Sequence, residues 1–549
     1  MSDQAPRVTF LGRLISLALI AGLIYAGWQL LQGRSVTELP GLGGGEQPAE
    51  VSEVLAAVPT LDPPAPYQLP ADSTVLIEIS EYAGYAGLIA ANGGLEPGPN
   101  SLFTKYCGCR VRLSISEEES WSALNSGRLA ASVTTVDVLA VYGRQFRVKV
   151  PVQLGFSRGA DGVVVRSDVK RVNALKGRVV AAAQFTETDF FIRYLAQEAG
   201  IGVNAIGGLD ATPDPERINL VYTDDGFAAG DLLLEDLARG GTALTGAVTW
   251  EPKTSEVVST GGAAVRLLTT NRNLLIIADV MVVNQGFAEQ HPQIMEGMVR
   301  AALEGNRMVR DNPAAHLAVV AGAFKWTPEQ TREELQRVHL SNLPENTAFF
   351  SGAIDEAGSF GGIYQSAVYA YGSGLIPEPG DPSRFVDPAP LKALEKAGIF
   401  RDQKIAIAPI RTGSGTVEEN PLLSKDIRFF FEPNSATLDL ANAENLKNLE
   451  SVKQLLVVSP GSTLLLRGHV DNSLVEKFRE QGGEAFVRQQ ALKAVELSRK
   501  RADEIRRLVV ERHGADRARI EIVGRGWDEP AGTDADLNRR VEVQWFTLE

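Results

Sequence analysis

The stretch L-L-L-R-G-H-V-D-N-S, Leu464 to Ser473, is a strand-like apolar run that breaks at Gly468 and then sets His469, Asp471 and Asn472 within four residues. Three kinds of chemistry suit such a cluster: ligation of a metal, a proton-transfer step, or recognition of a charged group. A metal needs more donors. The histidines (His291, His316, His339, His469, His513) are scattered, H-E-x-x-H is absent, and no second His or Cys stands near His469, so a packed or capping histidine is expected there. Cys107 and Cys109, in K-Y-C-G-C-R, lack the second ligand pair of a structural zinc site; two buried free thiols are expected rather than a switchable pair. No metal and no cofactor is called for.

The elements that position these residues follow from composition. A chain of 549 residues exceeds one hydrophobic core, so two or three domains are expected. The net charge of -14 argues against nonspecific nucleic-acid binding. Residues 14–33 carry no charge and as a helix would span about 30 Å, one hydrocarbon core. Arg7 and Arg13 precede this stretch and Trp28 lies near its far end, which predicts an uncleaved inner-membrane anchor with residues 1–13 in the cytoplasm and the bulk in the periplasm. With no ionisable residue inside it, the segment reads as an anchor and not as an ion path. Residues 34–70, rich in Gly, Pro and Glu, read as a linker with a reach of about 120 Å.

From residue 71 to 400, strand-like runs (V-L-I-E-I at Val75, R-V-R-L-S-I at Arg110, G-R-V-V-A-A-A at Gly177, G-A-V-T-W at Gly246, D-V-M-V-V-N at Asp279) alternate with amphipathic helical segments. That pattern predicts an α/β fold with mostly parallel sheets in two lobes. From residue 405 the order is β-α-β-α-β-β, beginning with strand D-I-R-F-F-F: a separate α+β unit with its helices on one side.

Residues 405–549 resemble the OmpA-like peptidoglycan-binding domain. The resemblance rests on five ordered pieces: I-R-F-F-F-E-P-N-S-A-T-L from Ile427, G-H-V-D-N from Gly468, L-S-R-K-R-A from Leu497, G-R-G-W-D-E-P from Gly524 and N-R-R-V-E-V from Asn538. It implies a grip on the diaminopimelate branch of the wall's stem peptide, with Asp471 as anion for the ammonium and Arg501 as forked cation for the carboxylate. Asn472 and the Gly468 loop complete the shell. Arg540 is a further candidate contact, although with Asn538 its position also suits holding the last strand. Val470 stands where the family has threonine, and Ala494 where it has asparagine. Asp471 and Arg501 are 30 positions apart, about twice the family's gap, so the extra residues form a loop or lengthen a helix.

Residues 72 to about 345 resemble periplasmic substrate-binding proteins of the nitrate, sulfonate, taurine and thiamine-precursor group, through A-L-N-S-G-R-L-A-A-S-V-T-T-V-D-V-L (from Ala123), S-R-G-A-D-G-V-V-V-R-S-D (from Ser157), the stretch Leu175–Leu195, V-T-W-E-P (from Val248) and H-P-Q-I-M-E-G-M-V-R-A-A-L-E (from His291). The resemblance implies two lobes closing on a small solute. The candidate cleft residues are Glu81, Tyr82 and Tyr85 after the first strand, Thr135 and Asp137 in T-T-V-D, Thr186 and Thr188 in F-T-E-T-D, and Trp250 and Glu251 in W-E-P. With Glu187 and Asp189 these loops are acidic, and Arg158 is their one basic residue. A cationic, zwitterionic or neutral ring compound therefore fits better than an anion. The expected protein is no enzyme: it is an anchored solute receptor or sensor, or a transporter's binding component with a permease as a further partner, held at the wall. The alternative is a structural tether between membrane and wall with an inert middle unit.

Overall fold

The computed structural model describes residues 50–116, 120–353, 358–407, 421–427, 429, 431, 435–458, 462–533 and 535–546. The expected anchor at 14–33 lies outside them; among the described residues no helix is long and apolar enough to cross a membrane.

In chain order the strands are β1 (Thr74–Ile79), β2 (Arg110–Ile115), β3 (Ala131–Thr135), β4 (Val148–Ser157), β5 (Asp161–Arg166), β6 (Val179–Ala183), β7 (Gly202–Ala205), β8 (Arg217–Thr223), β9 (Gly246–Trp250), β10 (Val265–Thr270), β11 (Ala278–Asn284), β12 (Val338–Leu340), β13 (Leu423–Ile427), β14 (Thr463–Gly468), β15 (Ile520–Gly524) and β16 (Val541–Phe546). They form three sheets. The first lobe has the order β12-β4-β11-β3-β1-β2, the second β10-β5-β9-β6-β8-β7, and the C-terminal domain β13-β16-β14-β15. The chain crosses between lobes twice, from β4 to β5 and from β10 to β11. The expectation of mostly parallel sheets is corrected here. β1, β2 and β3 pair in parallel, as do β6 to β9, but the strands beside the two crossings (β4, β5, β10, β11) pair antiparallel with their neighbours. A chain that leaves a sheet and returns through the same hinge re-enters it in the opposite direction.

A buried asparagine ties the two crossings together. Asn271, fully buried, accepts the Gly159 and Asp161 amides on Oδ1 (2.9 and 3.3 Å) and donates Nδ2 to Asp161 Oδ2 at 3.1 Å. The helix Phe360–Leu375 packs on helices from both lobes and gives Tyr371, whose hydroxyl donates to the Thr186 carbonyl at 3.2 Å.

Residues 50–70 are not a free linker. They lie as a strap along both lobes. Tyr67 is buried, with its amide on Asn284 Oδ1 at 3.1 Å. Leu61 donates to Gln145 at 3.0 Å, both in the first lobe's reach. Ser52 N–H then bonds the Tyr222 carbonyl (2.7 Å), and Leu55 exchanges two 2.9 Å hydrogen bonds with the Gln184 side chain, both on the second lobe. Compositional bias signalled a spacer, but Tyr67, Leu61 and Val58 supply the apolar anchors that bind it down.

Cys107 and Cys109, expected as free thiols, form a disulfide. The helix Leu102–Cys107 ends at Gly108 with φ 65°, and that left-handed turn brings the two Cα atoms to 5.2 Å, inside the span a disulfide needs.

In the C-terminal domain the first strand already pairs from Leu423, ahead of D-I-R-F-F-F: Leu423 lies opposite Trp545 and Ile427 opposite Val541, while residues 428 and 430 of that run lie outside the described residues. The extra residues between the Asp471 and Arg501 motifs lengthen a helix: Val475–His513 is helical with a break at Gly482 and Gly483. That helix crosses the ends of β14 and β15 at very short range. A Cβ on Gly468 would sit 2.1 Å from the Ser498 carbonyl oxygen, and one on Gly524 2.3 Å from that of Val495. The domain is joined to the second lobe by Asn173, whose amide exchanges hydrogen bonds with the Ser424 backbone (2.8 and 3.0 Å), and by Lys425 with Glu198 at 3.6 Å. Gly468→Ala is expected to destabilise the domain by about 1–3 kcal/mol through overpacking against backbone that cannot yield, read as a lower unfolding midpoint in denaturant; an unchanged midpoint would show that the helix can shift away.

Candidate functional site

The lobes enclose a cleft of ≈ 230 Å³. Its first-lobe wall comes from the ends of β1 and β3, the 82–85 turn and Asp279 on β11; its second-lobe wall comes from the turns after β6, β8 and β9. Of the described residues that line it, Glu78, Asp161, Glu187, Asp224, Asp225 and Asp279 carry carboxylates, and none is Lys, Arg or His. Tyr82, Tyr85, Trp121 and Trp250 give it aromatic walls. The Tyr82 and Tyr85 rings meet edge to face at 5.3 Å.

Of the nine expected cleft residues, the structure places Tyr82, Tyr85, Thr135, Thr186 and Trp250 on the lining and four elsewhere. Glu81 accepts a 2.6 Å hydrogen bond from Trp326 Nε1. Thr188 is buried under the turn, bonded to Ala183 N at 3.0 Å. Glu251 is paired with Arg337 from the other lobe and accepts from Ser255. Asp137 is fully buried behind Thr135. Arg158 is turned away too, its Nε on the Arg272 carbonyl at 2.8 Å. Asp189, in F-T-E-T-D, is structural: it accepts from the Phe185 amide (3.2 Å), where φ is +66°, and pairs with Arg193 at 2.6 Å. The carboxylates that sequence reasoning missed, Asp161 and Asp279, sit on strands that read as buried core, where a lone Asp in an apolar run was the available signal.

Two helix N-termini face the cleft, Glu187–Glu198 and Gly226–Ala238. Each carries roughly half a positive charge. Each is already matched by the chain's own carboxylates: Glu187 and Asp189 lie in the first turn of one, and Asp225 caps the other by accepting from Ala228 N at 2.8 Å. Little positive potential remains for an anion. Burial raises the floor carboxyls. Desolvation, reinforced by Glu251, holds Asp161 at about 6; desolvation and the charge of Asp161 hold Asp279 well above its ordinary value; desolvation brings Asp137 to about 7.

At the C-terminal domain's tip, Asp471 follows β14 and Arg501 projects from the long helix. Burial pushes the Asp471 carboxyl up, but hydrogen bonds from Ser473 and Arg539 outweigh it and hold it low. Arg539 Nη1 lies 3.2 Å from Asp471 Oδ2, a partner the N-R-R-V motif contained but sequence reading passed over. Arg501 is 5% exposed, with Nε on the Ser435 carbonyl at 3.1 Å and its guanidinium over the Phe431 ring at 4.9 Å. Burial and Arg539 lower its proton affinity, while Asp471 raises it, so all three charges feel one another. Asn472 is exposed beside Asp471. Arg540 turns instead to the Glu529 carbonyl (3.3 Å) and Glu542 (3.7 Å), and Asn538 ties down the 531–532 loop, so both brace the last strand. His469 is buried and neutral: desolvation and the neighbouring Arg540, Arg467 and Arg525 push it down to about 3. Among the described residues no His, Cys, Asp and Glu cluster is arranged to hold a metal.

Residues 430–544 match the OmpA family. The match takes in both charges of the tip, and the OmpA-family segment spans β14 to most of β16. Solved structures resemble the two-lobed part. The alkanesulfonate-binding protein SsuA from Xanthomonas axonopodis pv. citri, bound to MOPS, aligns at 13% identity over 57% of this chain and 98% of its own, with TM-score 0.43. The aliphatic sulphonate binding protein SsuA from Escherichia coli aligns at 16% identity over 57% and 97%, with TM-score 0.42. The desulfurization enzyme DSZB aligns at 15% over 59% and 99%, with TM-score 0.40. A comparison with curated proteins finds no match. What those proteins bind or transform is theirs; the cleft described above has its own lining.

A carboxyl whose folded pKa lies above its unfolded value of about 3.9 binds more protons when folded, so it weakens the fold as pH rises from about 4 through the folded value. Asp137, held at about 7, is expected to act in this sense. Asp137→Asn should raise the urea midpoint more at pH 8 than at pH 5. An equal gain at both would show that Asp137 is not held protonated.

Proposed function

We propose that this chain is a non-enzymatic receptor of the cell envelope: a two-lobed solute-binding body whose C-terminal domain grips peptidoglycan and whose N-terminal segment anchors it in the inner membrane. The observation that carries the reading is the pairing on one chain of an aromatic cleft between two lobes with a tip where Asp471, Arg501 and Arg539 lie in one another's field.

The tip suits a zwitterionic amino-acid head group. Asp471 stays ionised to receive an ammonium, and Arg501 with Arg539 presents forked donors to a carboxylate. The diaminopimelate branch of the stem peptide offers both charges on one carbon. The OmpA-family match supports this partner, and the Cys107–Cys109 disulfide agrees with an oxidising compartment. Held at the wall and at the membrane, the chain engages each branch as an effectively intramolecular event, so modest affinity suffices. Fixed in place, the body serves sensing, or delivery to a neighbouring permease, better than scavenging.

The test is retention of the full-length chain on purified diaminopimelate-type peptidoglycan. Asp471→Ala and Arg501→Ala are each expected to reduce retention about tenfold or more, as loss of one charge-assisted contact implies, and free diaminopimelate should compete. Retention unchanged in both variants, with intact circular dichroism, would refute the wall site.

A further inference from the structure

The cleft floor carries an unfilled hydrogen-bonding demand. Asp279 is 3% exposed; its Oδ1 accepts from Tyr85 Oη at 3.0 Å, and the Tyr82 hydroxyl lies against the same carboxyl without normal hydrogen-bond geometry to Oδ2. Thr135, 6% exposed and on the same floor, has its Oγ1 near the Asp137 carboxyl but likewise without normal hydrogen-bond geometry among the described residues. Both residues line the cleft. A buried polar atom left unpaired costs about 1–3 kcal/mol, so an occupant that supplies N–H donors relieves a standing penalty. Asp161 deepens the demand: it is held by Ser157 and by Asn271 at 3.1 Å, neither of which brings a charge.

Resting on the receptor reading above, we infer that the ligand is an organic cation bearing N–H groups, an amine or a guanidinium, with its charged end against Asp279 and Asp161 and its carbon body between the Tyr82–Tyr85 pair and Trp250. Three features select this class. The absence of Lys, Arg and His from the described lining leaves an anion without a counter-charge. The two helix N-termini that would otherwise attract one are neutralised by Glu187, Asp189 and Asp225. A quaternary ammonium would meet the aromatic walls but bring no N–H to Asp279 Oδ2 or Thr135 Oγ1. Asp279 faces Tyr82 and Tyr85 from the 82–85 turn, Asp161 from β5 and Asp137 from the helix after β3, a set without a positive charge. A cation arriving there draws these carboxyls toward ionisation, and protons leave to solvent as it binds.

Calorimetry on the full-length chain tests this with putrescine, agmatine, choline and ethanesulfonate as probes. Putrescine or agmatine should bind at least tenfold more tightly than choline, ethanesulfonate should not bind, and the binding heat at pH 7 should differ between phosphate and Tris in the sense of proton release. Asp279→Asn should weaken amine binding tenfold or more. Thr135→Val, a milder change, should weaken it several-fold if the first variant folds poorly. Binding of ethanesulfonate, or of choline in preference to the amines, overturns the cation inference and leaves the receptor reading standing. No heat from any probe overturns the inference, and wall retention measured separately then decides whether the chain is a tether alone.

Discussion

A carboxylate buried in protein must be matched, solvated through a path to water, or protonated. The meeting line of the two lobes places Asp161 and Asp279 under that constraint, and much of the surrounding architecture answers to it. Asn271 fixes Asp161 and the hinge amides in one stroke, so the group that shapes the floor is also the group that sets the crossing. The tyrosine pair closes over Asp279 from one side. Arginines of the two lobes are spent elsewhere: Arg158 on a carbonyl, Arg193 on Asp189, Arg337 on Glu251 and Glu334. The protein has the cations to neutralise its floor and does not use them there, which is what a site reserved for a cation from outside requires.

Much of the fold was legible because periodicity reports burial. The five strand runs quoted between Val75 and Asn284 all appear as strands, and the long charged helix ends at His513. The orientation of the strands at the hinge was not legible, since apolar runs are alike in parallel and antiparallel pairs. Composition also misled at the strap. Proline and glycine mark segments that cannot be helix or inner strand, but they do not say whether such a segment floats or is bound. Single residues such as Tyr67 decide that, and one aromatic in a Pro-rich stretch is a weak signal.

At the sites, the tip was legible through its motif and the cleft only in part. G-H-V-D pointed to Asp471, yet its glycine is there for a reason the strand pattern hides: the Val475–His513 helix needs its backbone against Gly468 and Gly524. Arg539 was hidden in plain view beside Arg540, because the two adjacent arginines sit in the connection before β16, where sequence does not say which one turns to Asp471 and which to Glu542. In the cleft, loop position pointed to Tyr82, Tyr85, Thr135, Thr186 and Trp250, which lie on the lining. It overvalued Glu81 and Glu251, whose carboxylates are taken up by Trp326 and Arg337.

The strap and the Asn173 clasp bear on how the two ends communicate. The strap fixes on the first lobe through Tyr67 and Leu61 and on the second through Ser52 and Leu55. Its second-lobe contacts include Asp224 and Gln184, both of which line the cleft. The C-terminal domain joins the chain's body on the second lobe, through Asn173 and Glu198. Any hinge motion that moves the second lobe relative to the first therefore strains the strap and carries β13 with it. A ligand shifts such an equilibrium only by its differential affinity for the two arrangements. The floor supplies that difference, since Asp279 belongs to the first lobe and Asp161 opens the second, and a charge held between them favours their approach.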